Sequence, residues 1–158
     1  MNDFLLARAL HVLGVVLWIG GVAFVTTVLL PATRMKSPDE RVAWFEEAEG
    51  RFAAQARLTT LVTGLSGFYM VHALDAWERF AEPAYWWMHA MVAVWLVFTL
   101  MLFVLEPLVL HRRLLERARR DPEGTFNLVQ RMHWLLLGLS LATVFGAAAG
   151  SHGWLVSL

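Results

Sequence analysis

The chain contains no cysteine. That absence removes disulfides, iron–sulfur clusters, thiolate zinc sites and cysteine nucleophiles, and with them the CxxCH motif of covalently attached haem. Net charge is missing too: 13 Lys and Arg residues balance 13 Asp and Glu, so no global field argues for nucleic acid. Charged residues make up only 16% of the chain, and no internal repeat is visible.

Apolar residues fill the space that charge leaves. They account for 58% of the 158 residues, and the mean hydropathy is +0.55. Such a composition excludes a disordered chain and points to a bilayer protein of one domain. Crossing a hydrocarbon core of about 30 Å takes about 20 apolar residues as helix. The runs at 4–30, 52–74, 84–110 and 132–154 are each long enough, which predicts an all-α, integral membrane four-helix bundle. The first run is far longer than the roughly 7–15 apolar residues of a signal peptide, and Asp3 spoils a basic leader, so it reads as a permanent span.

The connections carry their own signals. Ser37-Pro38-Asp39-Glu40 reads as an N-cap, a proline at N1 and acidic first-turn residues, predicting a short interfacial helix through Trp44 and Phe45. After His111-Arg112-Arg113 comes a basic stretch, then a turn at Asp121-Pro122-Glu123-Gly124. Basic residues set the orientation. Arg34, Lys36, Arg41, Arg51, Arg57, Arg112, Arg113, Arg117, Arg119, Arg120 and Arg131 lie on one side, against only Arg8 and Arg79 on the other. Both termini are therefore expected outside, which in a Gram-negative inner membrane means the periplasm.

Orientation sorts the six histidines. His11, His72, His89 and His152 fall one per span toward the outer face, while His111 and His133 sit at the inner ends of spans three and four. Histidine at membrane depth needs a partner and by default marks a function. One imidazole per helix at a common level suits a cofactor site in a bundle core. Axial ligation of b-type haem by the outer four is the first reading, with His11 and His89 as the leading pair and His72 and His152 next. Copper or another metal, and simple wetting at the headgroups, stand beside it. His111 and His133 form a weaker second site, since His89 to His111 and His133 to His152 span about 33 and 29 Å of helix at 1.5 Å per residue.

His11, Gly14, Trp18 and Gly21 share one helical stripe, and Gly64, Gly67 and the small residues 146–153 offer close approach or a slot for a planar macrocycle. The same small residues along span four suit a homodimer contact. Trp86, Trp87 and Trp154 read as an interfacial aromatic belt. The scattered methionines read as packing rather than a thioether copper site. Glu106, followed by Pro107 inside span three, is a candidate proton or quinone group, with Arg57 as its natural ion partner.

The run Ala9-Leu10-His11-Val12-Leu13-Gly14 with Leu17-Trp18-Ile19-Gly20-Gly21 resembles the first helix of the copper-resistance protein D (CopD-like) membrane family. The related bacterial membrane protoporphyrinogen oxidases look similar over the same region. The likeness extends through Gly50-Arg51-Phe52, Thr63-Gly64-Leu65-Ser66-Gly67 and Trp87-Met88-His89. The resemblance implies a helical bundle that binds haem b or handles copper, with His11 as a haem ligand. Met91 stands where the oxidases have a lysine-like position, and their Asn-Glu-Pro element at the end of the fourth helix is missing. Residues and resemblance together give an expectation: a cytochrome b passing electrons between a quinone or membrane donor and an outer-face redox protein. A copper-binding or copper-transport protein and a haem-biosynthetic oxidase are the alternatives.

Overall fold

The computed structural model describes residues 2–153, with side chains for all of these except 38, 39, 42–50, 109–112, 115 and 119. Trp154 and the side chains of Trp44, Phe45 and His111 lie outside the described residues. Among the described residues every regular element is helical. α1 (Asn2–Phe24) runs through a π turn, Val25–Leu29, into α2 (Leu30–Thr33). α3 spans Pro38–Ala73, and two 3₁₀ turns, Trp77–Ala81 and Pro83–Tyr85, lead to α4 (Trp86–Leu100). A π segment, Met101–Leu110, continues into α5 (His111–Arg120), and α6 spans Pro122–Ser151. The long helices close a ring: α1 packs on α3, α3 on α4, α4 on α6 and α6 on α1.

Three stretches are long and apolar enough to cross a membrane: Asn2–Thr33, Pro83–Leu108 and Pro122–Ser151. α3 is longer, but its apolar half carries Gln55, Arg57, Thr59, Thr60 and Thr63, which keeps it outside that group. The packing inverts the pattern of a water-soluble bundle. Leu6, Leu13, Val16, Leu65, Leu135 and Phe145 are exposed, whereas Thr26, Thr60, Thr63, Ser66, Ser140 and Thr143 are buried. Hydrocarbon gives large apolar side chains no reason to hide, so the interior goes to residues that let backbones approach. A hydroxyl can be buried in a helix because it bonds its own backbone one turn back. Thr26 donates to the Val22 carbonyl at 2.6 Å, Ser140 to Leu136 at 2.7 Å and Thr143 to Leu139 at 2.8 Å.

Element boundaries differ from the sequence reading in three places. The expected interfacial helix and second span are one continuous rod. Ser37 is its N-cap and Pro38 stands in its first turn, but Gly50, surrounded by helix formers, costs only about 1 kcal/mol and does not break it. The first span does not stop at Pro31. The π turn before it shifts the register, so the Leu30 N–H reaches back to the Val25 carbonyl and the helix carries through to Thr33. The expected turn at 121–124 shrinks to Asp121 alone, an N-cap whose carboxylate accepts from the Gly124 N–H at 2.9 Å, and α6 begins at Pro122.

On the basic side, the first connection is latched to the start of α6. Arg41 pairs with Glu123, and its Nε donates to the Lys36 carbonyl at 2.8 Å. Arg34 donates to Asn127 and lies over the Phe126 ring at 5.4 Å.

Candidate functional site

Residues 7, 11, 14 and 18 recur at helical spacing on one face of α1, which meets α3 at His11 and Gly14 and packs Trp18 on Phe98 of α4. Gly14 makes the approach possible, since a Cβ there would stand 2.5 Å from Thr63 Oγ1 and 3.3 Å from the Thr59 carbonyl. One turn outward, the His11 ring lies in the same seam, and a Cβ on Gly67 would meet its Cε1 at 3.1 Å. His11 Nδ1 is 2.9 Å from the Thr63 carbonyl oxygen, with Ser66 Oγ at 3.4 Å. A carbonyl only accepts, so Nδ1 must be the protonated nitrogen. The neutral ring then keeps its lone pair on Nε2. This is how a metal-binding histidine is usually oriented: a backbone carbonyl fixes the tautomer and leaves the second nitrogen for the metal.

The other three outer histidines are placed differently. His89 is exposed at the start of α4, edge-on to Phe80 with ring centroids 5.4 Å apart. His152 is exposed past the end of α6, its Nδ1 2.7 Å from the Ala148 carbonyl of its own helix. His72 is exposed near the end of α3. All four therefore lie toward one end of the bundle, but only His11 is turned into a helix–helix seam. Among the described residues no three His, Asp or Glu side chains are grouped to hold a metal ion.

The glycine notches read from the sequence as a slot for a macrocycle are filled by tryptophan rings. A Cβ on Gly64 would meet Trp95 at 2.5 Å and one on Gly146 would meet Trp86 at 2.6 Å, while Gly150 faces the Trp87 ring. Trp87 is thus a buried packing residue rather than part of an interfacial belt, whereas Trp86 remains half exposed. Trp95 also ties α4 to α3 by donating its Nε1 proton to the Thr60 carbonyl at 2.9 Å.

Sequence reasoning missed a set of buried polar atoms deeper in the ring. Trp18 Nε1 and the hydroxyls of Thr60, Thr63 and Thr99 have no hydrogen-bond partner in the protein. They come from three facing helices, and each such atom costs about 1–3 kcal/mol. Buried polar groups left without protein partners call for an explanation such as a water or a bound group. The periodic threonines at 59, 60 and 63 were the available signal.

Toward the other end of the bundle, Arg57 of α3 pairs with Glu106 of the π segment, and its Nε donates to the Leu102 carbonyl at 3.0 Å. Pro107 explains the second bond. In a π helix the N–H of residue 107 would serve the carbonyl of residue 102, and proline has none. A cavity of about 180 Å³ adjoins this pair, lined by Val22, Val25, Ala53, Phe98, Glu106 and His133 among others. His133 Nδ1 is 2.9 Å from the Val129 carbonyl of its own helix. Glu106 and His133 are the titratable side chains of that wall. Sequence reading had grouped His133 with His111 as a second haem site; His133 lines the same cavity as Glu106, and the His111 side chain lies outside the described residues.

Compared with protein-family models, with curated proteins and with solved structures, the chain finds no match.

Proposed function

We propose that this chain is a b-type haem protein of a bacterial inner membrane, an oxidoreductase component carrying electrons between a membrane donor and a redox protein at the outer face. In this reading α3 crosses with the three more apolar stretches to complete a four-span bundle, both termini lie outside, and the haem sits toward the outer end. One observation carries it. The His11 ring is held in a helix–helix seam by the Thr63 carbonyl, in the tautomer that leaves Nε2 as a ligand.

The ligand inventory favours haem over a copper cage. A porphyrin brings four of the iron's ligands itself and asks the protein for one or two imidazoles, whereas a cage needs three or more side chains together. His11 supplies the first, and His89, on the facing side of the ring of helices, is the candidate second. The unpartnered hydroxyl of Thr63 and the indole N–H of Trp18 give the same region polar groups that a bound macrocycle's propionates or edge would use. Haem bound there supplies a one-electron carrier. The residues' own tasks are to fix the imidazole, exclude water and keep the iron within reach of the outer surface.

The test is a pyridine haemochrome assay on protein purified in mild detergent from haem-replete cells, repeated on His11→Ala and His89→Ala. The wild type should carry at least one haem per chain with sharp reduced α and β bands, and His11→Ala should lose it while keeping its helical circular dichroism. Colourless wild-type protein, or haem unchanged in His11→Ala, overturns the reading.

A further inference from the structure

The cavity beside Arg57–Glu106 is distinct from the His11 seam. Its wall includes Val22, about 16 Å along the helix from His11 at 1.5 Å per residue. Three of its properties restrict an occupant. The first is size. About 180 Å³ is slightly more than the roughly 150 Å³ apolar cavity known to take up benzene, so one substituted six-membered ring fits and a macrocycle does not.

The second property is polarity. Fourteen of the sixteen lining residues are apolar, and Glu106 and His133 are the exceptions. Both are acceptors. Glu106 accepts from the Arg57 guanidinium through its carboxylate oxygen. His133 spends its Nδ1 proton on the Val129 carbonyl, so its neutral ring keeps only a lone pair at Nε2. Among the described lining residues there are two acceptors and no donor, which selects a ligand that carries two donors.

The third property is access. Leu128 and Met132, on the α6 side of the wall, are each 36% exposed, so this side of the cavity borders the surface the bundle presents to lipid. A ring inside could leave a hydrocarbon tail in the bilayer.

We propose that this cavity binds the ring of a membrane-soluble 1,4-hydroquinone, whose two hydroxyls donate to the Glu106 carboxylate and to His133 Nε2. The oxidised quinone has two carbonyl acceptors facing two protein acceptors and binds more weakly. The inference names the donor class for the electron-transfer reading and rests on that reading only for the donor role. Binding itself involves no haem and no redox step, so the two proposals fail separately.

The experiment is equilibrium dialysis under argon of the full-length protein in detergent, against three probes: a short-chain benzoquinol, its benzoquinone and its 1,4-dimethyl ether. Empty micelles correct for partition. The expected result is one site per chain, with the quinol held at least tenfold tighter than the other two, about the value of one charge-assisted hydrogen bond. Ala53→Leu fills the cavity and should abolish the site. Leu128→Trp closes its surface side without entering the packed core, and carries the same expectation if Ala53→Leu does not fold. Glu106→Gln should bring quinol and quinone affinities together, because the amide offers the donor that the carboxylate lacks. Equal binding of all three probes by the wild type, or quinol binding unaffected by both cavity variants, overturns the proposal. A co-purified lipid that the quinol cannot displace does so as well.

Discussion

Removing both members of the Arg57–Glu106 pair should cost less than the two single removals added together. Arg57 has two duties, toward the Glu106 carboxylate and toward the Leu102 carbonyl that Pro107 leaves without its helical donor. Breaking a buried pair from one side costs about 3–5 kcal/mol. With side chains 36% and 22% exposed, the lower end applies, about 3 kcal/mol. Arg57→Leu also strips the donor from Leu102, adding about 1–3 kcal/mol and making it the worse of the two singles, about 4–6 kcal/mol. Glu106→Leu leaves that bond in place and should cost about 3 kcal/mol. The double variant has no uncompensated charge, so it should recover about 2–3 kcal/mol relative to the sum of the singles. The assay is a double-mutant cycle by far-ultraviolet circular dichroism, with sodium dodecyl sulfate unfolding in mixed micelles. Costs that add to within about 0.5 kcal/mol would mean the two groups do not interact, and would refute the account of the π segment.

Gly14→Ala places a methyl 2.5 Å from Thr63 Oγ1 and against the Thr59 backbone, and should cost about 1–3 kcal/mol as α1 and α3 are forced apart. Gly20→Ala and Gly138→Ala meet nothing within 4 Å and should be neutral or gain about 1 kcal/mol of helix propensity. The same unfolding assay separates these, and equal effects at all three sites would contradict the close approach. At the N-terminus of α3, the Ser37 hydroxyl and then its backbone N–H donate to the Glu40 carboxylate and hold it below the usual carboxylate range. A depressed folded value means the cap's contribution is complete above the unfolded pKa and is lost as pH falls through the folded one. Protection factors of the first α3 amides, taken relative to the intrinsic exchange rate at each pH, should therefore fall on acidification, and Glu40→Gln should flatten that dependence. Arg41→Ala should loosen the latch to Glu123 and speed exchange at the start of α6, with little effect on amides near His11.

The helices, their order and the shared end of the bundle toward which His11, His72, His89 and His152 lie were legible, because apolar length and chain order are one-dimensional signals. Continuity was less so. Nothing in the Pro31 or Pro107 neighbourhoods announces a π turn, since the register shift depends on where the freed carbonyls find donors, and Leu102 finds Arg57 from another helix. Gly50 likewise looks like a boundary until the helix formers around it are weighed.

Radial position was the real obstacle, and its cause is physical. A helix that meets lipid on one face and protein on the other is apolar on both, so hydrophobicity does not say which way a histidine points. Small and hydroxyl-bearing residues do. In α3 the buried positions run 53, 56, 59, 60, 63, 64 and 66, and in α6 they run 137, 140, 143, 146 and 150. His72 lies beyond the last buried position of α3 and is exposed. Extending the α6 stripe reaches 153 or 154 and passes His152 by. In α1 the buried residues 7, 14, 18 and 22 put His11 on the stripe at the intervening turn. Extended inward, the α6 stripe meets buried Val129 and half-buried His133, one turn apart on the cavity wall. Read by that rule, the five histidines with described side chains are not a set. Among them His11 and His133 are the two whose helices turn them inward, toward opposite ends of the bundle.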